Sequence, residues 1–157
     1  MQCPTTLLLA LDTAFDKRSW HGANLMGSVR GVAPGDAARA VGRRRTIWEQ
    51  VLHAAYWKHR VLTRLAGKAK FPRPGSNWPR MPGERADAAW RADLDLLRAT
   101  HAALRSHVAS LAAIDDRTAW LIQGAAAHDL YHAGQIKLLR RMLGDVSGRS
   151  RRLPATR

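Results

Sequence analysis

Four stretches of this sequence repeat apolar residues at the three- and four-residue spacing of a helix face, and none alternates like a half-buried strand. With no sheet to lie on, such stripes can be buried only against one another. The first stretch runs from about Thr5 to Arg18, with Leu7, Leu8, Leu11 and Phe15 on one face. The second opens at Thr46, an N-cap whose Glu49 three residues on completes a capping box, and reaches about Ala66 before Gly67. It carries Ile47, Val51, Ala54, Ala55, Leu62 and Leu65. The third, from about Arg85 to Ala112, shows Trp90, Leu94, Leu97, Leu104, Val108 and Leu111. The fourth, from about Asp116 to Leu143, shows Trp120, Leu121, Ile136, Leu138, Leu139 and Met142, and is expected to stop at Gly144.

The connections differ in kind. Ser19 to Ala33 reads as a turn with a short helical piece, and Pro34-Gly35-Asp36 opens another. Residues 67–85 hold Pro72, Pro74, Pro79, Pro82 and three glycines, the composition of a long crossover loop, with Trp78 its expected anchor. At 157 residues the chain is the size of one domain. The expectation is an all-α four-helix bundle over 1–145, followed by a basic, flexible tail over 146–157.

A net charge of +14, with arginine 21 of the 26 basic residues, first suggests a polyanionic partner. Its distribution says otherwise. Residues 1–38 and 86–145 are each neutral, while residues 39–85 carry +10 and the tail +4. Much of the excess falls in loops, at Arg43-Arg44-Arg45 and at Lys68, Lys70, Arg73 and Arg80, with no nucleic-acid recognition motif beside it. Nucleic-acid binding is therefore the minor reading. Cys3 is the only cysteine, so an intrachain disulfide and an all-thiolate metal site are both excluded. The apolar run Leu7 to Leu11 is far short of the ~20 residues that span a bilayer. A soluble, cytoplasmic protein without a membrane partner is expected.

The seven histidines sort by spacing. His128 and His132 lie one turn apart on the fourth helix, about 6 Å along its axis, and project from one face, so two imidazoles could share a metal. That row continues through Trp120, Gly124, Ile136, Leu139 and Leu143, which turns the pair toward the core. Gly124 and Gly134 would allow another helix or a ligand to come close. On the second helix, His53 shares a stripe with Trp57 and Leu65 and could supply a third nitrogen from across the bundle. Three neutral imidazoles with open positions suit Zn, Ni, Fe or Mn. The bland alternative is core histidines bonded to backbone or water. His59, His101 and His107, in basic and alanine-rich surroundings, read as surface residues.

Ile47-Trp48-Glu49-Gln50-Val51-Leu52-His53-Ala54-Ala55-Tyr56-Trp57, followed by His128-Asp129-Leu130-Tyr131-His132-Ala133-Gly134-Gln135-Ile136, resembles the DinB-like (DNA-damage-inducible) superfamily, which is related to bacterial thiol S-transferases. The likeness extends from Phe15 to about Leu143, and its specific part is His-x3-His-x-Gly-Gln. It implies an up-down-down-up bundle with a long crossover between the second and third helices, and a divalent metal on His53, His128 and His132. Gln135 is then a candidate to orient a ligand histidine, while His21, in Trp20-His21-Gly22, and Trp57 are candidates to line the pocket. A small-molecule substrate, such as a low-molecular-weight thiol, and a homodimer are the partners implied. The function expected is a metal-dependent thiol transferase, with a non-catalytic metal-binding or dimerising scaffold as the alternative. His128-Asp129-Leu130-Tyr131-His132 has the form of a zinc hydrolase motif with Asp for Glu, but no third ligand follows it.

Overall fold

Thr46 starts the helix on which the rest is organised. Its hydroxyl accepts a hydrogen bond from the Glu49 amide at 3.1 Å, and the Glu49 carboxylate accepts one from the Thr46 amide at 2.8 Å, which closes the expected capping box. The computed structural model describes residues 4–67 and 69–150; Cys3, Lys68 and the end of the chain from 151 lie outside the described residues. In chain order the elements are α1 (Pro4–Phe15), the short α2 (Leu25–Val29) and α3 (Pro34–Ala38), α4 (Ile47–Ala66), α5 (Asp87–Ser110) and α6 (Asp116–Ser150).

The four long helices form an up-down-down-up bundle, bridged at one end by α2 and α3. Side-chain pairs give the directions. Trp48, at the start of α4, donates its indole N–H to Asp93 near the start of α5 at 2.8 Å, so these two run parallel. Gln50 meets His132 while Lys58 meets Asp129, so α4 and α6 are antiparallel. Phe15 stacks on His101 while Asp12 pairs with Arg105, so α1 and α5 are antiparallel as well.

Parallel α4 and α5 oblige the connection to travel back along the bundle, and it does so against α4. Ala69 O meets His59, the Phe71 ring meets Tyr56, Asn77 O meets His53, and Met81 S accepts from the Thr46 hydroxyl. Arg73 ties the strap to α5 through Asp93 Oδ1, at 2.6 and 2.8 Å. Trp78 is the anchor the sequence suggested: its ring stacks on His53 with centroids 3.8 Å apart.

Two apolar clusters fill the bundle. One gathers Leu25, Ile47, Trp48, Leu97, Ile136 and Leu139; the other gathers Leu7, Leu11, Leu104, Ile114 and Ile122. Between the parts of α4 and α6 that feed these clusters lies a buried polar layer of His53, Lys58, Asp129 and His132.

The structure corrects several expectations. Gly144 does not end α6, which continues to Ser150; a glycine weakens a helix by about 1 kcal/mol but stops it only where the chain turns left-handed, and Gly144 has no positive φ. The first five residues of the expected tail are thus helical, and 151–157 lie outside the described residues. His59 and His101 are buried rather than on the surface, and His107 is half-buried. Small neighbouring side chains on one helix say nothing of what packs over them: here Phe71 and the carbonyl of Ala69 cover His59, and Phe15 covers His101. Trp120 and Leu138 are exposed, so the core row of α6 does not extend to Trp120. Gly124 and Gly134 face open space rather than another helix.

Candidate metal centre

On α4, Gln50, His53 and Trp57 are spaced to share a face, and on the antiparallel α6 His128 and His132 are one turn apart. These faces meet in the polar layer. His53 and His132 are buried and His128 is half-buried, and one ligand nitrogen from each falls within 4.8 Å of the other two. Nε2 of His128 lies 3.1 Å from Nε2 of His53 and 3.0 Å from Nε2 of His132. Nitrogens bound to one ion at ~2.0–2.1 Å, at angles between octahedral and tetrahedral, are separated by roughly 2.8–3.4 Å. The two separations from His128 match a shared cation, and the third pair, His53 and His132, lies within 4.8 Å and would close to that range around an ion.

The outer nitrogens make the stronger case. His53 Nδ1 is 2.5 Å from the carbonyl oxygen of Asn77, and His132 Nδ1 faces the Oε1 of Gln50. A carbonyl only accepts, so each ring carries its proton on Nδ1 and presents a bare lone pair at Nε2. His128 has at most one proton at Nε2 to offer two such lone pairs. Without a cation at least one of the two lone pairs, 3.0–3.1 Å from His128 Nε2, is left with no proton from the cluster to accept. The donor set thus fits a divalent metal, and the outer hydrogen bonds fix the tautomers that ligation requires.

Electrostatics keep the rings neutral. Burial lowers the His128 pKa to about 4, with the nearby charge of His53 and Lys58 adding to the effect. Burial likewise lowers His132 to about 3, assisted by His128 and His53. His53 is lowered chiefly by burial and partly by Arg45, with the Asn77 carbonyl opposing. Neutral imidazole is the form that binds metal.

The surroundings hold the rings in place. Asn77, at φ 51°, aims its carbonyl at His53 and accepts the Trp57 indole N–H on Oδ1 at 2.9 Å. The Arg45 guanidinium lies 4.9 Å from the centroid of the Trp78 ring that stacks on His53. Beneath His128, Lys58 and Asp129 are completely enclosed and bonded at 2.5 Å. Burial raises the Asp129 carboxyl to about 6 against the pull of Lys58.

Of the residues the sequence suggested, His53, His128 and His132 come together and Trp57 stands beside them, its ring centroid 6.3 Å from those of His53 and His128. His21 is exposed in the turn after α1, outside the cluster. Gln135 is half-buried one turn beyond His132, whose outer nitrogen bonds to Gln50 instead. Gln50 had a signal in its spacing of three from His53. Asn77 had none, because a carbonyl from a loop leaves no side-chain pattern. Gln50→Ala is expected to weaken Co2+ binding by about 10- to 100-fold while the chain stays folded, read by optical titration; unchanged affinity would remove Gln50 from the site. Comparison with protein-family models, with curated proteins and with solved structures finds no match to this chain.

Proposed function

We propose that this chain is a DinB-like metalloprotein of one domain, spanning 1–145, in which His53, His128 and His132 hold a single divalent transition ion and serve a thiol S-transferase reaction on a small molecule. The observation that carries the reading is the convergence of three Nε2 atoms whose rings are fixed, on two sides, by carbonyl acceptors. Its support for the family is the up-down-down-up order together with the positions of the three histidines on α4 and α6.

When bound, such an ion supplies Lewis acidity that lowers the pKa of a coordinated thiol or water toward neutrality. The protein's own part is separate. Gln50 and Asn77 set the tautomers, burial keeps the rings unprotonated, and Trp57 and Trp78 wall the cluster. Asp129, the carboxylate next to His128, is fully buried with its Oδ2 on Lys58, so among the described residues no carboxylate stands open at the site as a general base, and a nucleophile supplied by the substrate suits it. A transferase using a thiol meets that condition better than a hydrolase. No helix among the described residues is long and apolar enough to cross a membrane.

Untagged protein should carry about one transition ion per chain by elemental analysis, and should accelerate conjugation of a low-molecular-weight thiol to an electrophile only when metal is present. Fully folded protein that takes up no metal would overturn the site; metal uptake without any thiol transfer would overturn the reaction.

A further inference from the structure

Only His128 of the three histidines is partly open, and what it opens onto is a groove between α4 and α6. The groove has two compartments. The inner slot, about 150 Å³, is walled by Trp57, Val61, Trp120, Leu121 and Ala125 and ends on His128. Gly124 leaves it room, since a side chain there would meet open space. The outer compartment, about 350 Å³, shares Arg64, Trp120 and Leu121 with the slot and adds Arg117 and Thr118.

The two parts differ in chemistry. Along the slot's walls Lys58 is spent on Asp129 and the Trp57 indole on Asn77, which leaves Arg64 and His128 as its polar groups open to a guest. Between them it offers a guest two indoles and aliphatic side chains. An apolar cavity of ~150 Å³ accommodates a benzene-sized group. In the outer compartment neither Arg64 nor Arg117 forms an ion pair with a carboxylate among the described residues. Asp115, the acid close to Arg117, accepts from the Thr118 amide at 2.7 Å and feels the Arg117 charge without forming an ion pair with it. Two guanidiniums without an ion-pair partner beside a largely apolar slot favour a ligand that brings its own anion. The exposure of Trp120, at 69%, is explained by the same arrangement: its ring is a wall shared by both compartments.

We propose that this groove receives a small aromatic carboxylate as the organic substrate of the centre, its ring in the slot beside His128 and its carboxylate between Arg64 and Arg117. The role as a substrate groove rests on the metal-centre reading; the binding preference does not, because Val61, Trp120, Leu121, Arg64 and Arg117 are no part of the cluster.

The test uses the full chain with 3-phenylpropionate and its uncharged amide as probes, by calorimetry, in metal-free and Co2+-loaded protein. The acid should bind about three- to fivefold tighter than the amide, the range of a solvent-accessible ion pair. Gly124→Leu, which fills the slot, should weaken both probes at least about tenfold and leave Co2+ uptake as in the wild type. Arg64→Gln with Arg117→Gln should erase the preference for the acid. Equal binding of acid and amide, or no effect of Gly124→Leu, would overturn the groove. Co2+ uptake with no probe binding also overturns the groove and leaves the centre; probe binding without Co2+ uptake overturns the centre and leaves the groove.

Discussion

Alanine at His128 is expected to lower Co2+ affinity by more than about a hundredfold, a larger loss than removal of any group that merely orients a ligand. Two nitrogens would remain, on different helices. In the wild type, metal at a hundred times its dissociation constant should raise stability by about 2.7 kcal/mol, or roughly 5–10 °C in a chain of this length; His128→Ala should lose that increment. The pH profile is a second signature. An ordinary histidine takes its proton near pH 6.5, but His128 resists until about 4 and His132 until about 3. Protons compete with metal for the same lone pairs, so uptake should persist below pH 6 and fall away between about 4 and 3. A midpoint near 6.5 would mean that the rings are solvated and the cluster is not held as described. The metal-free chain follows the same sign. Its unfolded form binds more protons below pH 6.5, so stability is complete above that pH and declines as pH falls toward the folded values.

The second large effect concerns the enclosed ion pair. Asp129→Leu leaves Lys58, 1% exposed, with a charge and no counter-ion, and should cost about 3–5 kcal/mol. At roughly 2–4 °C per kcal/mol for a chain of this size, melting should fall by about 6–20 °C. Replacing both partners, Lys58→Met with Asp129→Leu, should recover most of the loss, because the desolvation cost disappears with the charges. Lys58→Met alone has a pH signature of its own. Burial already raises the Asp129 carboxyl to about 6, and without Lys58 nothing pulls it down. A raised acid favours the fold below pH 3.8 and loses that advantage as pH rises through its folded value, so the single variant should be weaker at pH 8 than at pH 5. Thermal melts of the four proteins at both pH values decide it; equal melting of Asp129→Leu and the wild type would show the pair to be energetically idle.

How much of this was legible in the sequence depends on whether a feature has a local cause. The start of α4 is written in Thr46 and Glu49, and its end in Gly67, whose φ of 106° admits few other residues. The His128/His132 pair is legible because one turn of helix fixes its direction. His101 was not, because its burial is decided by Phe15, eighty-six positions away, and not by the alanines around it. Lys58 was hidden in the same manner: in the sequence it is one more base in a +10 block, and only the antiparallel approach of α6 supplies Asp129. Trp120 failed in the opposite sense, since periodicity assigns it a face but cannot say that an open groove, not a packed side chain, lies against it.

The strap between α4 and α5 has a consequence for anyone transplanting the cluster. In a bundle whose helices simply alternate up and down, a short hairpin joins the second helix to the third, and nothing returns along the second to reach its middle. The carbonyl that caps the outer nitrogen of His53 arrives here only because two neighbouring helices point the same way. Three histidines grafted onto a minimal alternating scaffold would leave that imidazole free to flip between tautomers, and half of its orientations would turn a proton toward the incoming ion.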